Sequence, residues 1–344
     1  MTLAGHDGVS CVVAGGGLSR LVVWMLLAGG CAGPGSVGAL APDCAGCHAE
    51  VAADHRESRH ARAGEGELFA ALRDHLGESA CDTCHLPEGG EGDGLGCTTC
   101  HAAVGNEATA DGRLVHTFRG LVQGAATSSN RAHAVQAGFP GDSALCGTCH
   151  ESTALPAFHE TPYSHWAVSP AAAAGVRCQD CHQRREPGVA DPAGAVRHTW
   201  TGLAGDPTEA VALLRRAVRL TVEREGDGAV VALVNLGEGH DLPDGASFLR
   251  ELAVLVDGAL PAADARLSAQ WTARGAVVDD PAAADGNAGH ALAPGEVRTW
   301  RVQGADPVRA CVVFTQERPA LRRLLGLPVD AAREAVREVV CADG

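Results

Sequence analysis

The sequence predicts an α+β protein in two parts: a loop-rich N-terminal part with short helices, then a β-sandwich of immunoglobulin-like type. Three observations carry this. Ten of the 14 cysteines stand as five Cys-x-x-Cys pairs between residues 44 and 182. Aromatic residues make up only 3% of the chain, with Tyr163 the single tyrosine, so large apolar side chains are too few to fill that part's interior. After Gly205 the pairs stop, and short aliphatic runs separated by Gly, Asp and Pro take over. The expected division is a leader over 1–30, the cysteine-rich part over 31–204, and the β-sandwich with C-terminal helical segments over 205–344.

The leader is read from Arg20, the apolar run 21–28 (LVVWMLLA), Gly29, Gly30 and Cys31, which has the shape of a secretory signal. The run is shorter than the ~20 residues a membrane-spanning helix needs. Its ending, Leu-Ala-Gly-Gly-Cys, resembles a bacterial lipobox, with Ala28 in the place of the usual Leu. The resemblance implies cleavage before Cys31, a diacylglycerol on its thiol, and a membrane lipid anchor. The expected location is periplasmic or attached to the outer membrane.

Each cysteine pair is followed at once by histidine: Cys44, Cys47 and His48; Cys81, Cys84 and His85; Cys97, Cys100 and His101; Cys146, Cys149 and His150; Cys178, Cys181 and His182. Random sequence of this composition would give roughly 0.03 such motifs. On a helical turn, positions i and i+3 share a face, so both thiols can bond the two vinyl groups of one haem while the imidazole at i+4 meets the iron. Zinc clusters or disulfide loops need no histidine after every second cysteine. In an exported protein, the pattern predicts five covalently attached haem c groups. Porphyrin faces then fill the interior that aromatic side chains do not.

The remaining axial ligands are read by elimination. The chain has no lysine, and its two methionines, Met1 and Met25, fall in the leader. Each iron is therefore closed by a second histidine or left open to water, and without methionine the potentials are expected to be low. An internal repeat narrows the choice. Residues 97–120 end Val-His116-Thr-Phe-Arg-Gly and residues 178–202 end Arg-His198-Thr-Trp-Thr-Gly, with 19 and 20 residues from the first Cys to the His. Each unit ties a haem-binding segment to a returning histidine, His116 or His198.

The segment from Cys146 through His159-Glu-Thr-Pro-Tyr-Ser-His-Trp166 to His182 resembles the tetrahaem cytochrome c domain of the multihaem cytochrome superfamily. The resemblance covers about residues 42–202 and implies that His159 is an axial ligand. Residues 57–61, Glu-Ser-Arg-His-Ala, resemble that family's Ser-x-His-Ala segment, which implies the same for His60. The close spacing of the motifs at Cys81 and Cys97 departs from the tetrahaem pattern and makes five sites. For the fifth distal ligand His133 is favoured, with His75, His165 and His240 behind it.

In the C-terminal part, strands are expected over 217–224, 229–236, 249–256, 297–302 and 310–315, and amphipathic helical segments over 319–340. The stretch from Asn235 through Gly239-His240-Asp-Leu-Pro243-Asp-Gly245 resembles a loop of β-domains appended to such cytochromes. Either a tight turn with His240 as a structural hydrogen-bonder or a haem contact accounts for it. Cys311 and Cys341 are expected to form a disulfide or to remain two buried thiols.

The leading expectation is an electron carrier with no catalytic residue, in which protein supplies ligands, burial and spacing. The alternative is a periplasmic oxidoreductase for a small nitrogen or sulfur compound at an open-site haem, with Tyr163 available to line it. The acidic balance, 42 carboxylates against 27 basic residues, excludes nucleic acid and points to a redox partner protein of basic character.

Overall fold

The computed structural model describes residues 44–77, 81–87, 94–108, 114–118, 122–124, 135–137, 141–152, 158, 160–183, 185–186, 195–237, 239–289, 291–303 and 307–344. Helical turns carry the cysteine pairs, as their spacing predicts. The first opens α1 (Cys44–Cys47), which is followed by α2 (Ala49–Glu57). The amphipathic α3 (Glu67–Leu76) ends on Gly77, whose φ of 64° lies in the left-handed region that closes helices and suits glycine. The second and third motifs sit on α4 (Asp82–His85) and α5 (Cys97–His101). The fourth begins on α6 (Ser143–Gly147), started by the Asp142 side chain, which accepts from the Ala144 N–H. Two short helices with Pro in their first turn follow, α7 (Pro162–Ala167) and α8 (Pro170–Ala173). The fifth motif forms α9 (Cys178–His182).

Between the motifs, where loops are expected, the chain also makes small two-stranded sheets. β1 (Ala103–Ala108) pairs antiparallel with β2 (Leu114–Phe118), β3 (Val122–Gly124) parallel with β4 (Val135–Ala137), and β5 (Arg185–Glu186) antiparallel with β6 (Ala195–Val196).

The C-terminal part opens with α10 (Pro207–Ala217). Asp206 caps it by accepting from the N–H groups of Thr208 and Glu209, and Ala210, Val211 and Leu214 form its buried stripe. The strands come close to the predicted runs: β7 (Val218–Glu225), β8 (Gly228–Asn235) and β9 (Glu251–Val256). A small sheet of β10 (Gln270–Ala273), β11 (Ala276–Val277) and β12 (Gly286–Ala288) follows, and then β13 (Val297–Gln303) and β14 (Arg309–Thr315). Past the short helices α11 (Pro319–Leu324) and α12 (Ala331–Glu334) runs β15 (Arg337–Asp343).

Two antiparallel sheets, ordered β13-β8-β7 and β15-β14-β9, bury one shared core. Val231, Leu233 and Trp300 from the first meet Val254, Val312, Phe314 and Val339 from the second. Among the described residues each sheet has three strands, which does not amount to the immunoglobulin strand set. The helical expectation for 319–340 also needs correction, since its end is β15. Val339, Val340 and Cys341 favour extended backbone. Cys341 stands directly opposite Cys311 of β14, and the two form a disulfide.

The two parts are joined through α3 and the C-terminal segments. Leu72 of α3 packs with Phe248, Trp271 and Leu321, and Phe158 meets Phe248 edge-on at 4.8 Å. Arg322, 2% exposed, ties Glu317 to Glu67 of α3, with both contacts at 2.5 Å. Among the described residues no helix is long and apolar enough to cross a membrane.

Candidate haem sites

At the motifs the backbone closes the turn that presents the histidine. The N–H groups of His48, His85 and His150 donate to the carbonyls of Cys44, Cys81 and Cys146 at 2.7, 3.0 and 2.8 Å. The fourth and fifth motifs are locked side by side. Cys178 N–H donates to the Ser143 hydroxyl at 3.1 Å, and Gln179 donates to the Asp142 carbonyl at 2.9 Å. The thiols of Cys146 and Cys178 are hydrogen-bonded, as are those of Cys149 and Cys84, so the second, fourth and fifth motifs adjoin. Gly147, inside the fourth motif, leaves room for the Tyr163 ring: a Cβ there would stand 2.6 Å from it. Tyr163 thus packs on the motif helix, its ring 5.7 Å from Trp166.

Three motif histidines each face a second histidine. The ring centroids of His150 and His60 are 6.1 Å apart, those of His101 and His198 6.3 Å, and those of His182 and His240 6.2 Å. Two imidazoles holding one metal from opposite sides, with bonds of about 2 Å and about 1 Å more from nitrogen to centroid, stand ~6 Å apart. The separations therefore fit an iron between each pair, and the paired thiols one turn earlier fit the thioether attachment.

The hydrogen bonds on the other ring nitrogen fit the same role. A ligating imidazole donates its second N–H to a carbonyl or carboxylate, which fixes the tautomer and the ring plane. His182 Nδ1 donates to the Thr201 carbonyl at 2.7 Å, His240 Nδ1 to that of Asp241 at 2.7 Å, His198 Nδ1 to that of Val196 at 3.1 Å, and His85 Nδ1 to that of Ala63 at 2.8 Å. In each, the Nε2 lone pair is then the one aimed away from the backbone partner. Burial, with His150, His55 and His85 nearby, lowers His60 to about 3, and burial with His182 and His85 nearby lowers His150 to about 4. Burial likewise lowers His85, His182 and His198. In each, burial favours the neutral imidazole, the form that binds a metal.

The segment 198–201 serves three of these places. His198 faces His101, the Trp200 ring meets His60 edge-on at 5.1 Å, and the Thr201 carbonyl holds His182. Trp200 has φ 47°, a left-handed conformation that costs a bulky residue about 1–2 kcal/mol. His60 is held from behind by Gly94, where a Cβ would stand 2.4 Å from the His60 carbonyl, and the next residue, Leu95, donates to that carbonyl at 2.9 Å.

Placement departs from the sequence reading in two respects. His198 stands against His101 of the other repeat unit, not against His182 of its own. The partner of His182 is instead His240, from the loop after β8, where Asn235 holds the His240 carbonyl at 3.3 Å. Of the other reserves, His75 Nε2 is bonded to Asp280 at 2.7 Å. His165 engages both ring nitrogens, Nδ1 with Asp244 at 2.6 Å and Nε2 with the Thr161 hydroxyl at 3.3 Å, which leaves it none for a metal. Cys31, His133 and His159 lie outside the described residues, and His116 is placed by its backbone alone, in β2 opposite Asn106.

No family model matches the chain, and no curated protein sequence does. Among solved structures it is similar to a penta-haem cytochrome c552 from Thermochromatium tepidum, with a TM-score of 0.68 and 18% identity over 88% of this chain and 97% of that one. The likeness is one of fold.

Proposed function

We propose that the chain is an exported cytochrome c carrying five covalent haems and that its work is electron transfer. The observation that carries this is the set of three imidazole pairs 6.1–6.3 Å apart, each combining the histidine of a Cys-x-x-Cys-His motif with one from elsewhere. A fold shared with a penta-haem cytochrome supports it. Haem, once bound, supplies the redox couple, with the iron moving between ferric and ferrous.

The chain's own residues attach, orient and enclose it. The cysteines at 44 and 47, 81 and 84, 97 and 100, 146 and 149, and 178 and 181 make the thioethers. His60 and His150, His101 and His198, and His182 and His240 would hold three of the irons. His48 and His85 hold the other two, with His116, His133 and His159 as the candidates opposite them. Two imidazoles at an iron leave no position for a substrate, which favours conduction over catalysis. The β-rich part, taken as 205–344, does more than flank the haem-bearing part, because His240 comes from it. Cleavage before Cys31 and its acylation would anchor the protein at the periplasmic or outer-membrane surface, where a basic redox protein is the fitting partner for a chain of net charge −15.

The test is haem stoichiometry on protein made by a host that attaches haem c. Intact mass with a pyridine haemochrome assay should give five haems per chain and a mature start at a lipid-modified Cys31. Four haems or fewer contradicts the count, and an unmodified start elsewhere excludes the anchor.

A further inference from the structure

Arg250 follows the His240 loop. Its Nη1 donates to the Ala246 carbonyl at 2.9 Å, but its Nε is sealed from solvent and has no hydrogen-bond partner among the described residues. A buried guanidinium nitrogen without an acceptor is uncommon enough to require one. The neighbouring charges do not provide it. Burial depresses Arg250 below the usual guanidinium range against the pull of Glu160 and Glu317, and Arg59 and Arg333 nearby add to the depression. Glu317 is engaged by Arg322 at 2.5 Å and Arg333 at 2.8 Å. Glu160, the other carboxyl near Arg250, makes no hydrogen bond to that nitrogen. Arg250 Nε is left without an acceptor.

Its position says which one. Arg59 immediately precedes His60. Glu160 pairs through its backbone with Ser152, two residues beyond His150. Arg250 is thus near a residue flanking each of the two imidazoles that stand 6.1 Å apart. Haem carries two carboxylates on one edge, and guanidinium binds carboxylate through paired N–H groups. We propose that Arg250, assisted by Arg59, holds a propionate carboxylate of the haem enclosed by His60 and His150. This rests on the five-haem reading. A free small anion such as nitrite or sulfite is the other carboxylate-like occupant, and the test separates them.

The experiment uses the holoprotein, with haem content measured first so that failure of haem attachment is scored against the five-haem reading and not against this one. Spectroelectrochemical titration compares wild type with Arg250→Gln and Arg59→Gln. Removing the cation leaves the propionate charge unbalanced and favours ferric haem. In Arg250→Gln one of five midpoint potentials should therefore shift negative while four stay, with a smaller shift of the same haem in Arg59→Gln. Should Arg250→Gln fail to fold, Arg59→Gln and the redox-difference infrared spectrum of wild type with isotope-labelled propionates decide. A guanidinium-bound carboxylate band that moves in Arg59→Gln supports the assignment. Five unchanged potentials with an unmoved carboxylate band overturn it. So does a low-spin haem signal that shifts on adding nitrite or sulfite to wild type and no longer does so in the variant.

Discussion

The two parts of this molecule build their interiors from different materials. In the C-terminal part side chains close the core, with Val231, Leu233, Val254, Leu292 and Val312 at 0% exposure. Among the described residues of the N-terminal part the buried apolar ones are mostly small, with Ala52, Ala102, Ala103 and Ala171 beside Leu72 and Leu145, and polar Ser58, Thr99, Ser143 and Gln179 are buried too. Helices of four or five residues do not stand by themselves. The difference suits a first half completed by the haems proposed above, and a second half that is an ordinary hydrophobic sandwich.

Breaking the second half should therefore follow the rules of side-chain cores. Leu233→Ala is expected to cost about 2–5 kcal/mol, read as a fall in the denaturation midpoint of the holoprotein. A loss under 1 kcal/mol would mean that the sandwich does not carry the stability assigned to it. Next in size is the Cys311–Cys341 bridge, with a sequence separation of 30 residues. Cys311→Ser with Cys341→Ser should cost about 3–4 kcal/mol, with haem spectra unchanged. Altered haem spectra in that variant would show that the two halves are coupled through β14 and β15.

The link between the halves is tested by two histidines of opposite fate. His240→Ala should convert one haem from low-spin to high-spin or water-ligated, seen as a shifted Soret band for about one-fifth of the absorbance. His165→Ala should leave all spin states alone. If the two variants exchange behaviour, the ligand geometry drawn here is wrong. The smallest expected effect is Trp200→Phe. It keeps an aromatic edge near His60 and should change the low-spin anisotropy of a single haem, with stability altered by less than about 1 kcal/mol.

How far the sequence anticipates this differs between the halves for a physical reason. Five strands are read within one or two residues of their observed limits, because aliphatic alternation between turn residues is a local signal. β15 is misread as helix because its partner, β14, lies about 30 residues back, and only the Cys311 and Cys341 pairing hints at it. In the N-terminal half the motif turns are legible, since the Cys-x-x-Cys-His spacing is that of one helical turn. The histidine pairing is not. Which ring a histidine comes to face, as His198 does His101 and His240 does His182, or which carboxylate it bonds, as His75 does Asp280 and His165 does Asp244, depends on chain segments far away in sequence. The repeat that relates His116 and His198 is real in sequence. It does not say that His198 crosses to His101.

Electron paramagnetic resonance of the fully oxidised protein tests the central claim most directly. Five irons each closed by two imidazoles give only low-spin ferric signals, summing to five spins per chain. A high-spin ferric signal in stoichiometric amount would mean an open iron, contradicting the electron carrier and pointing instead to catalysis on a small nitrogen or sulfur compound.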